Sequence, residues 1–482
     1  MIIFNEGKYK SLHAAQQGEL EDLKSAVEKD QDFRPHYHLA PPTGLLNDPN
    51  GLVFDGEKYH IFYQWYPFDA IHGMKHWQHY TTTDFIHFHH AEPLIPDELF
   101  ESHGCYSGGA LHHNEQLFCF YTGNTRRSSD NQRIPFQNLA IFDHQGKLLE
   151  KRPLLTQAPK GYTEHFRDPK PFFTKEGNVR FICGAQRENR SGTAVLFEMN
   201  NFNSEPVMLG ELSLNGFDNH KVFMWECPDL LKIDHQDIFI WSPQGKPREN
   251  NQFQNNYHAT YAVGKLTDLV FQTEHIAELD QGFDFYAPQT FSNVSNRALM
   301  LAWVGLPDLT YPTDQYHWHS LLSLPRELIL KEHRLLQQPA REIYQNLTAL
   351  QQIELNEQME IADLDRAYIR FNPQNQPFKL HFFDNPQGEK LVLSYAQNRL
   401  CLDRTTTKQT EEMKQFGSLR YCEIVDLQQV EIFFDQSVCE IFINQGEKVM
   451  TSRFFIAQRK NRIKTDRTLS LSIGYPKAIS YN

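Results

Sequence analysis

Short apolar runs broken by polar turns recur along most of the chain. Gly51-Leu52-Val53-Phe54 turns at Asp55-Gly56-Glu57 and leaves as Tyr59-His60-Ile61-Phe62-Tyr63-Gln64. Two such runs around a glycine turn predict a hairpin. The same shape returns from Gly109, Asp168, Cys227 and Ala287, with exit runs at Leu117–Tyr121, Val179–Cys183, Ile238–Trp241 and Ala298–Trp303. The starts at 51, 109, 168, 227 and 287 are separated by 58, 59, 59 and 60 residues. A fixed period predicts one supersecondary unit stacked on copies of itself. Each copy is strand-rich and long enough for about four strands, the content of a propeller blade. The predicted fold is therefore all-β, a five-bladed β-propeller. Equivalent positions of radial blades converge at one end of the axis, so Asp48, Asp168 and Glu226, each beside a repeat start, are expected to meet in one pocket.

The period stops beyond about residue 330. Lys331–Pro339 is charged and Gln-rich and reads as a linker. After it come short alternating runs at Lys379–Phe383, Lys390–Ser394, Val430–Phe434, Glu440–Ile443 and Leu469–Ile473, the pattern of a two-sheet β-sandwich. Before the repeats, Tyr9, Leu12, Leu20, Leu23 and Val27 fall at roughly helical spacing among charges, interrupted by Gly18. The expected organisation is a helical segment over 1–35, a propeller over 36–330, a linker over 331–345 and a sandwich over 346–482. The sandwich shows no chemistry and is read as support.

Composition narrows the class. The 482 residues exceed one ordinary core. With 47 basic and 60 acidic residues the formal charge is −13, which argues against a nucleic-acid surface. Seven cysteines in no Cys-x-x-Cys spacing, several inside apolar runs, suit free thiols in a reducing compartment. No basic region followed by an apolar run opens the sequence, and no run is long enough to span a bilayer. The expectation is a cytoplasmic protein with no membrane partner; the oligomeric state is open.

Taken singly, the candidate carboxylates have ordinary explanations. Asn47-Asp48-Pro49-Asn50-Gly51 is good turn chemistry, and Arg167-Asp168 could be an ion pair before a strand. Glu226 lies in Val222-Phe223-Met224-Trp225-Glu226-Cys227-Pro228, an apolar setting that should favour the protonated acid. Three carboxylates at one phase of a repeat are harder to explain as structure alone. Without metal-ligating histidines around them they suggest glycoside hydrolysis, one carboxylate as nucleophile or base and another as proton donor. His72, His76, His79, His87, His89 and His90 crowd together, but with no His-Glu-x-x-His pattern, so neither metal nor cofactor is expected.

The motifs Asn47-Asp48-Pro49-Asn50-Gly51, Arg167-Asp168-Pro169 and Glu226-Cys227-Pro228 resemble the three signatures of glycoside hydrolase family 32, the invertases, fructanases and sucrose-6-phosphate hydrolases. Phe62-Tyr63-Gln64, Tyr106-Ser107-Gly108, Phe120–Gly123, Asp284–Gln289 and Asp435–Phe442 match as well. The resemblance runs from about His36 to the end and implies a propeller followed by a sandwich. It implies Asp48 as nucleophile, Glu226 as general acid and then base, and Asp168 as transition-state stabiliser. Asn47, Gln64, Ser107 and Arg167 would hold sugar, with Trp77, Tyr106 and Tyr286 as further substrate-binding candidates. Cys227 could tune the acid or be a bland buried thiol. A retaining mechanism would put the Asp48 and Glu226 carboxyls about 5–5.5 Å apart.

Where invertases carry tryptophan and methionine, the stretch His72–His79 has His72 and Lys75, the form of the bacterial sucrose-6-phosphate hydrolases. Lys75 with His72, and secondarily Arg126 and Arg127, are candidates for a phosphate. The expected substrate is sucrose 6-phosphate. A fructosyltransferase or a fructo-oligosaccharide hydrolase using the same triad, and a sugar-binding protein without activity, remain the alternatives.

Overall fold

A computed structural model describes residues 7–482. Residues 1–6 of the expected helical segment lie outside it. The rest of that segment forms short turns at Gly7–Tyr9 and Leu12–Ala14 and one helix, Glu19–Val27. Gly18 precedes the helix at φ 83°, a left-handed conformation that suits glycine, and Glu19, Glu21 and Asp22 fill the electropositive first turn.

Among the described residues five mainly antiparallel sheets follow in chain order, each led by one innermost strand. These are Gly44–Phe54, Cys105–His113, Tyr162–Phe173, Met224–Ile233 and Tyr286–Thr290. Each pairs with the strand after it. The innermost strands also touch in sequence around a ring, the fifth against the first. Closure comes partly from a bridge between Trp318–His319 of the fifth repeat and Gly44–Leu45 of the first. The five-bladed propeller predicted from the period is therefore the fold. Its blades pack face to face through aromatic clusters. Phe120, Phe181 and Phe197 lie between the second and third blades, and Trp225, Phe239 and Trp241 between the third and fourth. Such faces must be apolar on both sides of a sheet, which is why the strands read as continuous apolar runs.

The stretch 331–345 is not a linker. Arg326–Lys331 and Arg334–Pro339 pair as the outer hairpin of the fifth blade, followed by a helix at Arg341–Gln345. Lys331 and Arg334 face water at the turn of an edge hairpin, so their charge is compatible with a strand. The alternating runs beyond it build two six-stranded sheets. One runs through Gln351–Leu355, Leu469–Gly474, Tyr368–Phe371, Val430–Asp435, Val438–Ile443 and Lys448–Arg453, and the other contains Phe378–Asp384 and Leu391–Ala396. Ile369, Leu380, Leu393, Ile432, Ile441 and Leu471 fill the space between them. No helix among the described residues is long and apolar enough to cross a membrane.

Candidate active site

Every innermost strand carries an irregularity at the same place. Leu46 pairs with Trp65 and Pro49 with Tyr63, leaving Asn47 and Asp48 against Gln64 alone. Arg167 pairs with Gly184 and Lys170 with Ile182, leaving Asp168 and Pro169 against Cys183. Glu226 pairs with Ser242 and Asp229 with Ile240, leaving Cys227 and Pro228 against Trp241. Ser107 is the extra residue in the second blade, and Ala287-Pro288 the extra pair in the fifth. These are β-bulges, and proline is tolerated at them because a bulged residue need not donate to the ladder. Asp168, Cys227 and Ala287 take positive φ there, 65°, 47° and 47°. The second blade solves the turn differently: a Cβ on Gly108 would lie 1.8 Å from the Phe120 carbonyl oxygen, so only glycine fits after Ser107.

A regular strand sends neighbouring side chains to opposite faces. A bulge breaks that alternation, so two consecutive residues can face the channel. Asn47 with Asp48, Tyr106 with Ser107, Arg167 with Asp168, and Glu226 with Cys227 all line one cavity of ≈ 230 Å³. Glu226 therefore does not occupy the same position as Asp48 and Asp168. By register and by the following proline, Cys227 is their equivalent, and Glu226 matches Asn47, Tyr106, Arg167 and Tyr286. The three carboxylates still converge, because the bulge presents both of its residues.

The contacts form a connected set. Asp48 accepts from Ser107 Oγ at 2.5 Å and from Asn47 Nδ2 at 3.1 Å. Gln64 fixes both donors, accepting from Asn47 at 2.5 Å and donating to Ser107 at 2.7 Å. Asp168 Oδ2 accepts from the Cys227 backbone N–H at 3.0 Å. The Cys227 Sγ lies 3.7 Å from Oδ2 of both Asp48 and Asp168, so one thiol neighbours two carboxylates. Glu226 accepts from Arg167 Nη2 at 2.5 Å and from the Tyr286 hydroxyl. Its surroundings are thus cationic and phenolic, not the apolar setting its sequence neighbours suggested; Trp225 packs between the third and fourth blades, and Met224 is fully buried.

Burial raises the pKa of Asp48; the Ser107 and Asn47 hydrogen bonds oppose that, and the Glu226 charge adds to it. Asp168 is pushed up to about 7 by burial against the opposing Arg167 charge, with Glu226 and Asp48 adding to the rise. Burial and the surrounding carboxylates push the Cys227 thiol up, which keeps it a protonated neighbour. Lys75 is 4% exposed, and burial brings it down to about 7 although the Asp48 charge resists. Its Nζ lies 3.1 Å from His72 Nδ1.

Of the residues expected from sequence, Asn47, Asp48, Gln64, His72, Lys75, Tyr106, Ser107, Arg167, Asp168, Glu226 and Tyr286 line the cavity. Trp77 does not. Its ring is fully buried between the first two blades, and Nε1 donates to the Tyr106 carbonyl, so it braces the wall from behind. Arg126 also lies off the lining, its guanidinium donating to the Asn131 carbonyl, and Arg127 pairs with Asp130 on the surface. The lining adds Gly73, Arg133, Cys227, Trp303 and Pro307. Trp303 stands opposite Tyr286 in the register, so the repeat held that signal. Arg133 comes from the third strand of its blade and belongs to no motif.

Comparison with known proteins gives the family. Residues 38–339 match the glycosyl hydrolases family 32 N-terminal domain, and residues 334–471 match the family 32 C-terminal domain. A sucrose-6-phosphate hydrolase of Vibrio alginolyticus is 38% identical over 463 residues, 94% of this chain and 92% of that one. One from Bacillus subtilis is 38% identical over 446 residues, covering 90% and 91%. The solved sucrose-6-phosphate hydrolase of Lactobacillus gasseri superposes with a TM-score of 0.89 at 32% identity, covering 99% of both chains. A Bombyx mori β-fructofuranosidase, solved as a mutant in complex with sucrose, gives 0.81 at 27% identity over 97% and 98%. The chain belongs to glycoside hydrolase family 32 and is a glycosidase of the β-fructofuranosidase type.

Proposed function

We propose that the protein hydrolyses the β-D-fructofuranosyl bond of sucrose 6-phosphate, with retention of configuration. The convergence of Asp48, Asp168 and Glu226 on one cavity carries this reading. Asp48, oriented by Ser107 and Asn47, attacks the anomeric carbon and forms a fructosyl-enzyme. Glu226, held by Arg167 and Tyr286, gives its proton to the leaving glycosidic oxygen and then takes one from the attacking water. Asp168 accepts hydrogen bonds from fructose hydroxyls, and these strengthen as positive charge grows on the ring. Asn47, Gln64, Ser107, Arg167 and Tyr286 position the sugar. The phosphorylated substrate is favoured by the names of the relatives that align along nearly the whole chain. We further propose a cytoplasmic location, because all seven cysteines are free and five of them are buried.

Incubation with sucrose and with sucrose 6-phosphate, followed by product analysis, tests the reading. The expected result is free fructose, released first as the β-anomer, with the higher kcat/KM on the phosphate. Longer oligosaccharides as the main product would make the enzyme a transferase, unchanged sugar would make it a binder, and α-anomer released first would exclude retention.

A further inference from the structure

Three cationic side chains line the cavity, and two are already engaged. Arg167 is tied to Glu226 at 2.5 Å and lies 3.9 Å from Asp168. Lys75 is almost wholly buried, contacts His72, and faces the Asp48 charge. A phosphate dianion brought to Lys75 would stand beside the carboxylate proposed as nucleophile, where repulsion opposes the attraction of the amine.

Arg133 differs. Among the described residues its guanidinium has no hydrogen bond and no ion pair. It lies over the Tyr106 ring, 5.7 Å from the centroid. Glu164 acts on it only at longer range, while Arg167 and Arg126 repel it. The residue is partly exposed, as are Tyr106, Arg167 and Glu226 and, at the reacting centre, Asp48 and Cys227, whereas Asn47, Gln64, Ser107 and Asp168 are each 5% exposed or less. That gradient sets a closed floor against an open mouth. A fructosyl ring on the floor places its leaving group toward Glu226 and hence toward the mouth, where Arg133 stands. An unpaired guanidinium with its planar fork free suits bidentate recognition of a phosphate better than a buried ammonium.

We infer that Arg133 is the residue that selects the phosphorylated sugar, binding the phosphate carried by the leaving group at the cavity mouth. This rests on the proposed substrate and replaces Lys75 and Arg126 as the phosphate contact. His165 supplies a second readout. Its Nδ1 lies 3.3 Å from Arg167 Nη1, its Nε2 is 3.9 Å from Glu164, and its ring packs edge-on to Phe223. Burial and the Arg167 and Arg133 charges pull it down to about 4, with Glu164 and Glu226 opposing. A dianion on Arg133 would screen that charge and let His165 take a proton more easily.

The test is the ratio of kcat/KM for sucrose 6-phosphate to that for sucrose, in the wild type and in Arg133→Gln, Arg133→Lys and Lys75→Met. Losing a charge-assisted contact should shrink the ratio by about 10- to 150-fold in Arg133→Gln. Arg133→Lys should fall between that variant and the wild type. Thermal melting identifies any variant that has lost its fold. Glucose 6-phosphate should inhibit the wild type better than Arg133→Gln, and should raise the His165 pKa, followed by NMR, in the wild type alone. No phosphate preference in the wild type would overturn the substrate reading. A wild-type preference that survives Arg133→Gln, or that Lys75→Met alone abolishes, would overturn this assignment and leave the substrate reading standing.

Discussion

Asp48 and Asp168 share Cys227 as a neighbour, so their ionisation is coupled. The Asp48 charge contributes to the raised pKa of Asp168, so Asp48 gives up its proton first. Attack requires ionised Asp48, and burial raises its pKa, so kcat/KM should fall as pH drops, with the limb above that of an exposed aspartate. Asp168, pushed up to about 7, still carries its proton on the acid limb, so Asp168→Asn should leave that limb in place while kcat falls more than KM rises. A limb that moved to lower pH in the variant would show that Asp168 is already ionised there and repels Asp48. Glu226→Gln should lose about 10²–10⁴-fold in kcat with a glucosyl leaving group and much less with an activated aryl leaving group. An equal loss on both would remove Glu226 from the proton-transfer step. The three carboxylates were legible because each sits in a motif beside a repeat start. Arg133 was not: its side chain reaches the mouth from a third strand, a placement set by blade curvature, which one sequence does not display.

At the scale of elements, the hairpins were legible and the bulges were not. Apolar runs and glycine turns mark where strands begin and end. A bulge depends on how two strands pair, and the sequence of one strand does not state its partner's register. That is why Glu226 read as the equivalent of Asp48, although Cys227 holds that position. Contacts between distant elements were equally silent. His38, just after the N-terminal segment, is fully buried with Nδ1 2.9 Å from Asp435 and Nε2 3.1 Å from Glu440, both on adjacent sandwich strands. Burial alone would lower its pKa, but the two carboxylates win and raise it to about 9. A folded pKa above the unfolded one gives stability that is complete below about 6.5 and is lost as pH rises through about 9. The melting temperature should therefore drop across that window, and His38→Gln should flatten the drop. Removing one member of a buried charged set costs about 3–5 kcal/mol, so His38→Gln should also be clearly less stable at neutral pH. A wild-type melting curve indifferent to pH between 6.5 and 9 would contradict the charged clamp.

The whole molecule shows why a sandwich with no cavity chemistry accompanies the propeller. The strand pattern announced two sheets, but not that the two parts share buried charges. Arg326 of the fifth blade is fully buried, with Nη2 3.2 Å from Asp280 of the propeller and 2.5 Å from Glu440 of the sandwich. Asp284, two residues before Tyr286, accepts from Arg404 at 2.9 Å and from the Arg453 backbone N–H at 2.8 Å, both in the sandwich. Phe283 beside it packs into the sandwich core itself. The fifth innermost strand therefore enters the active site directly from a segment that the sandwich holds. Cutting the chain after residue 345 would leave Arg326 with only part of its compensation and Asp284 with Tyr311 as its remaining side-chain partner, at 2.5 Å. Each such loss is worth about 3–5 kcal/mol. Two together rival the roughly 5–15 kcal/mol that separates a folded domain from its unfolded chain. The fragment 1–345 should accordingly fail to fold, giving no cooperative transition by calorimetry and no near-ultraviolet circular dichroism. Adding the fragment 346–482 during refolding should restore both, together with sugar hydrolysis, since it returns Glu440, Arg404 and Arg453. A fragment 1–345 that melts cooperatively and cleaves sugar on its own would show that the shared charges do not hold Tyr286 in place.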